Sequence, residues 1–327
     1  MIRIDPLRLH RLEQDYLVYV KEYLKNGVKE DKIQENINKS TGLLKLLFQY
    51  FKVNIDQIIL MDFSKIPIKN KEFLMNVGYD ESNKRHIEIY DGFTKSMILF
   101  YTNFVKTIAK IDGERISYGR WLTKEIGIIV CPYCNHNYIF TINDIGNNIN
   151  TRPQFDHFFA KTAFPLFSLS LYNLIPCCAV CNKIKGKKEI TFNPYGNHPE
   201  DVFFRLKNVA EGKPIHWITG EKPKIEVVHR IDGINESLAT DQNTSVKKLG
   251  IDKVYGEHGR FAEELLDKIF AYHNDYYESL VKSFRGLGKT VEQIDAIIWG
   301  AYLNNESERP MSKLTHDILK QAGIKNY

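Results

Sequence analysis

All five cysteines of this chain fall between positions 131 and 181, and four of them make two Cys-x-x-Cys pairs, Cys131/Cys134 and Cys178/Cys181. No other feature restricts the fold as much. Each pair lets one turn present two sulfurs to a single point, and two such turns supply the four ligands of a closed tetrahedral zinc site. The expectation is a structural Zn2+ held by Cys131, Cys134, Cys178 and Cys181, knotting together a segment too short to own a core. The alternatives are a set of buried free thiols and a redox Cys-x-x-Cys pair. Cys177 is left over and reads as a packed thiol, unless a one-residue slip puts it in place of Cys178. Paired thiols in a reducing cytoplasm hold zinc more often than they form disulfides, so the expected location is cytoplasmic.

The polar residues between and after those pairs point to chemistry. Asp156 and His157 end a β-like run, Asn173 lies in the loop that follows, and Asn182 comes directly after the last cysteine. Hydrolysis of a phosphodiester needs water activated by a base, and a divalent cation to carry the charge that develops on phosphate and leaving oxygen. Histidine suits the first task. A carboxylate and an amide oxygen suit a hard ion, Mg2+ or Mn2+. Lys183, Lys185, Lys187 and Lys188 would then meet the flanking phosphates, or form a solvated face. The formal charge of +5 permits an anionic partner without requiring one.

This series of Cys-x-x-Cys, strand, Asp156-His157, loop, Asn173 and Cys-x-x-Cys-Asn182-x-x-Lys-Gly resembles the HNH endonucleases, whose core is the ββα-metal fold. The resemblance covers the stretch 131–193. It implies that His157 is the general base, that Asp156 and Asn182 ligate the catalytic ion, and that Asn173 holds the loop and orients the base. It also implies that the zinc on the four cysteines is structural and that the catalytic ion, usually magnesium, is separate. Asn182 stands where many members have histidine, which favours Mg2+ over softer ions. More loosely, SLYNLIPCCAVCNKIKGKK followed by Asn193-Pro194-Tyr195 is similar to the HNH partners of ATPases in the Septu and related retron anti-phage systems. That similarity implies a defence role and an ATPase partner. DNA is the default substrate, and structured RNA offers the same phosphates. The competing reading is an inactive zinc-stabilised adaptor that binds nucleic acid or protein.

The flanks read as helices. Leu9, Leu12, Tyr16, Val20 and Tyr23 recur at intervals of three and four, predicting a helix over 6–26, and a second is expected over 31–51. Residues 62–92 read as loop, followed by helices over 93–110 and 117–126. Strands over 138–142 and 149–155 are expected to form the hairpin that ends in Asp156-His157, with a short helix over 178–185 stopped by Gly186. Three β-like runs between 201 and 231 precede helices over 256–284, 290–302 and 312–321. The fold class is therefore α+β. A zinc-containing ββα-metal finger at 128–196 sits between a helical region, 1–127, and a short β segment with C-terminal helices, 197–327. The N-terminus has no apolar stretch of secretory-signal length, and prolines with polar residues interrupt the uncharged run at 162–182, so no membrane span is expected.

Overall fold

The apolar stripe near the N-terminus forms α1, Pro6–Lys25, which buries Leu9, Leu12, Tyr16, Val20 and Tyr23 on one face. The structure is a computed structural model that describes residues 1–327 except 26–30, 145, 148, 197–199, 208–222, 232–234, 239–243, 273 and 325–327. The helix expected over 31–51 is two helices, α2 (Lys32–Lys39) and α3 (Gly42–Val53), because Ser40 turns extended at φ −109° and ψ 155°. Asp31 caps α2 by accepting from the amides of Ile33 and Gln34. After the short α4 (Ile55–Ile59) comes a correction. Residues 62–92 are largely helical: α5 spans Ile66–Asn76, and α6 starts at Lys84 and runs to Phe104. Pro67 and Asn83 stand at helix starts, where a missing amide and a capping side chain are both favoured.

A hairpin that the helical reading of residues 1–127 missed follows, with β1 (Ile108–Ile111) antiparallel to β2 (Glu114–Ser117). Asp112 and Gly113 make its turn at φ 48° and 85°, the left-handed pair that a two-residue hairpin requires. Helix α7, Tyr118–Ile126, ends on left-handed Gly127.

In the centre, β3 (Ile142–Asp144) and β4 (Ile149–Thr151) form a small hairpin of their own. The strand carrying Asp156 and His157 does not belong to it. That strand, β5 (Gln154–His157), pairs antiparallel with β6 (Leu174–Cys177), setting Gln154 opposite Cys177 and His157 opposite Leu174. Pro153 explains the difference, since it has no amide to give and separates β4 from β5. Helix α8, Ala179–Lys185, starts one residue after β6. The order is strand, loop, strand, helix.

Beyond it lies a three-stranded antiparallel sheet, β7 (Glu200–Lys207), β8 (Lys224–Ile231) and β9 (Asn235–Leu238). The β-like run at 215–220 falls outside the described residues. The remaining helices are α9 (Ser245–Leu249), α10 (Ile251–Gly256), α11 (Gly259–Ala271), α12 (Asn274–Gly286), α13 (Val291–Ile298) and α14 (Ser312–Gln321). The single helix expected over 256–284 is thus broken after Ala271. One cluster of buried apolar residues runs from Met1 to Leu319 and takes in all five cysteines. The chain is mixed α+β, and among the described residues no helix is long and apolar enough to cross a membrane.

Candidate metal centre and the polar groups around it

Cys131 and Cys134 sit on a turn closed by Asn135 N donating to Cys131 O at 2.8 Å and Cys131 N donating to Asn137 O at 3.0 Å. Asn135 itself is left-handed, at φ 49°. Cys178 is the N-cap of α8, and Cys181 lies in the first turn of that helix. The four sulfurs fall within 4.8 Å of one another, all are buried, and none is in a disulfide. Four thiolates at about 2.3 Å from a tetrahedral zinc stand about 3.8 Å apart, so the cluster can close on such an ion with little movement. Cys178 completes the set and Cys177 does not.

The surroundings also suit thiolates. Sulfur acceptors receive amides from three directions: Cys178 N to Cys131 Sγ, Cys181 N to Cys178 Sγ and His136 N to Cys134 Sγ, each at 3.4 Å. Asn137 adds its side-chain amide to Cys178 Sγ at 3.4 Å. Burial pushes the Cys131 thiol pKa up, while the hydrogen bond with Cys131 pulls Cys178 down. A divalent cation binds such a cluster as thiolates, displacing the protons the thiols carry.

Strand β5 has two faces with different neighbours, as alternation demands. Helix α8 packs on the face bearing Gln154 and Asp156. Asn182 donates from Nδ2 to Gln154 Oε1 at 2.7 Å, and one turn on, Lys185 Nζ reaches Asp156 Oδ1 at 3.0 Å and His157 O at 2.8 Å. Tyr133, between the first two cysteines, donates its hydroxyl to Asp156 Oδ2 at 2.7 Å. Both carboxylate oxygens are thereby engaged. Burial raises the Asp156 pKa above the usual carboxylate range, against the opposing pull of Lys185 and Tyr133.

His157 leaves the opposite face. Its ring meets Tyr101 of α6 edge-on, with centroids 4.4 Å apart, and its Nε2 lies 3.0 Å from Ser168 O. A carbonyl only accepts, so Nε2 carries the hydrogen and Nδ1 keeps its lone pair. Burial, reinforced by the charge of Lys161, lowers the His157 pKa to about 3. Asn173 ties the loop between β5 and β6. Its Oδ1 accepts from Phe159 N at 2.8 Å, and its Nδ2 donates to Phe159 O and Phe167 O at 3.1 and 3.2 Å. Asn173 thus fixes the backbone next to Ser168, and through it the imidazole.

The expected convergence of Asp156 and Asn182 on one cation, with His157 beside it as the base, is not what these side chains do. Asp156 and Asn182 share the α8 side of β5, but both carboxylate oxygens of Asp156 are taken by Lys185 and Tyr133, Asn182 turns its Nδ2 to Gln154, and His157 faces α6. As arranged, they do not make a ready site for Mg2+ or Mn2+. Lys185 is a second correction. Its side chain is wholly buried beside Asp156, so it does not face a phosphate. Lys183, Lys187 and Lys188 are exposed, and Lys188 Nζ also donates to Lys248 O at 3.1 Å.

Sequence reasoning missed a cationic cavity of about 530 Å³ whose polar lining includes Arg120, Arg152, Lys161, Asn150, Gln154 and Asn182. Its cations are scattered over α7, the residue just before Pro153 and the loop after β5, so no local pattern could have collected them. Tyr133 had a signal: a tyrosine inside a Cys-x-x-Cys turn is buried with its hydroxyl and needs an acceptor. Comparison of the chain with protein-family models, with curated proteins and with solved structures finds no match.

Proposed function

We propose that this chain is an endonuclease of the HNH type that hydrolyses phosphodiester bonds in DNA, with a structural Zn2+ on its four cysteines and His157 as general base. The observation that carries the reading is how the imidazole is held. With Nε2 committed to Ser168 O at 3.0 Å, the ring is fixed in the tautomer that offers Nδ1 to a water proton. The resemblance implies a hairpin ending in Asp156-His157, then a loop and a helix; the chain has β5, loop, β6 and α8 instead, and keeps from that order Asp156-His157 at a strand end and a helix that starts on a thiol. A histidine with a pKa of about 3 is a weak base; burial is the main cause, and the charges of Lys161 and Lys185 add to it. An incoming phosphate that neutralises Lys161 raises it.

The test is nicking of plasmid DNA by His157→Ala. The expected result is a loss of about 10²–10⁴-fold, the usual contribution of a positioned base, with zinc content unchanged. Undiminished cleavage removes His157 from the mechanism. Dependence on Mg2+ or Mn2+ is expected from the resemblance, although both oxygens of Asp156 are engaged by Tyr133 and Lys185. The similarity to Septu and retron nucleases extends the proposal to a defence effector with an ATPase partner.

The Lys185–Asp156 pair favours a second reading, in which a lysine has taken the place of the catalytic cation and the zinc-stabilised unit binds nucleic acid without cutting it. Under it no divalent ion elicits cleavage, while binding still falls steeply with salt.

A further inference from the structure

The open cleft beside β5 gathers positive charge from three separate segments. Arg120 from α7, Arg152 from the segment before Pro153 and Lys161 from the loop line it together with the amides of Asn150, Gln154 and Asn182, and no carboxylate is among its lining residues. Placing like charges together costs free energy unless an anion offsets it. Burial, with a smaller contribution from the neighbouring Arg120, lowers the Arg152 pKa, and burial alone lowers that of Lys161. Arg120 Nε is buried with no hydrogen-bond partner, whereas Arg152 is held in place by its bond to Pro153 O at 2.7 Å and by Phe155 under its guanidinium. An orphaned guanidinium N–H within a cluster of positive charge is a donor awaiting an oxyanion.

The geometry points to this cavity as the seat of a phosphodiester of the nucleic-acid strand, held by Arg120, Arg152 and Lys161. The site rests on the nuclease reading only for the identity of the anion. Tyr101 and Phe155, the aromatic residues of its wall, are 7% and 5% exposed. They offer no open face for a base, so the contact reads backbone and not sequence. Tyr101 also touches the His157 ring, and Lys161 is among the charges that depress that imidazole. A phosphate bound here therefore lies one side chain away from the proposed base. The lysine run after Cys181, which the sequence singled out, is secondary to this cavity.

The experiment measures binding without cleavage. Full-length His157→Ala protein in buffer free of added Mg2+ is titrated onto a fluorescently labelled DNA duplex at several salt concentrations, alone and with Arg120→Gln, Lys161→Gln or Lys187→Gln. Arg120→Gln and Lys161→Gln are expected to weaken binding about tenfold each and to lower the salt slope by about one, with zinc content intact. Arg120→Lys, which keeps the charge, restores the slope. Lys187→Gln is expected to change the affinity less than either. Unchanged affinity and slope in both cavity variants overturn the site, as does weakening no greater than that of Lys187→Gln. Inorganic phosphate is the second probe: if the cavity variants lose phosphate binding but keep the duplex, the site takes a free anion and the strand assignment is wrong. Cavity-dependent binding by a wild-type protein that never cuts would sink the nuclease reading and leave this site standing.

Discussion

The burial of Lys185 against Asp156 follows from helix geometry. In the run Lys183-Ile-Lys185-Gly-Lys187-Lys188 every lysine reads alike, but α8 carries Asn182 and Lys185 on neighbouring positions three apart, so a helix that packs Asn182 on β5 packs Lys185 there too. The ammonium then sits 3.0 Å from Asp156 with both side chains out of water. Breaking such a pair strands a buried charge. Lys185→Met and Asp156→Asn are each expected to cost about 3–5 kcal/mol in denaturant unfolding, and the double variant to recover more than half of the summed loss. Additive losses would mean that the pair is not coupled. His157 yields a pH prediction. Its folded pKa, about 3, lies below the ordinary 6.5, so the unfolded chain takes up the proton first. Its contribution is complete above pH 6.5 and is lost as the pH falls from there toward 3, at up to about 1.4 kcal/mol per pH unit. His157→Gln should flatten that limb of the stability curve, and an unaltered limb assigns it to other groups.

At the level of elements, the unit that matters is β5, its loop, β6 and α8, and the sequence made only half of it legible. The thiol spacing announced the turn and the helix start, and Asp156 and His157 were placed at a strand end. The partner strand was hidden because β6 reads Leu-Ile-Pro-Cys, and a proline normally argues against a strand. In a sheet of two strands both are edges, so Pro176 opposite Phe155 withholds no amide that a further neighbour needs. Two strands and a seven-residue helix bury too little surface to stand alone. The cysteines must therefore supply the closure. A chromogenic chelator should release about one zinc per chain, and Cys181→Ser should abolish that release and lower the melting temperature. Protein purified without zinc and melting identically with or without chelator would leave the four cysteines as ordinary buried thiols. The cavity was illegible for the opposite reason: no single element makes it.

Across the whole molecule, the helical flanks grip the cysteine turn, which no local pattern could announce because the partners are far apart in the chain. Ile2 N donates to Pro132 O at 2.8 Å, and Tyr255 donates its hydroxyl to Cys134 O at 2.6 Å. Asn135, wholly buried, does most. It donates to Glu306 O at 2.7 Å, while Met311 N and Lys313 N bond its own carbonyl and side-chain oxygen at 2.7 and 2.9 Å. From the other side, Tyr16 of α1 donates to Leu169 O at 2.8 Å, in the loop that positions His157. The geometry of the cysteine turn is thus set in part by the C-terminal segment, in addition to any ion that the four sulfurs hold. Asn135 bears two separable loads, a left-handed backbone at φ 49° and the side-chain bonds to the C-terminal segment. Asn135→Ala loses both, and an expected cost of about 2–4 kcal/mol follows from the strain and the orphaned partners. Asn135→Gly keeps the backbone free to turn and loses only the bonds, so it should be more stable than the alanine variant by about 1 kcal/mol while still releasing zinc to a chelator faster than wild type. If glycine restores wild-type zinc retention, the turn is held by its own conformation and the C-terminal segment merely rests against it.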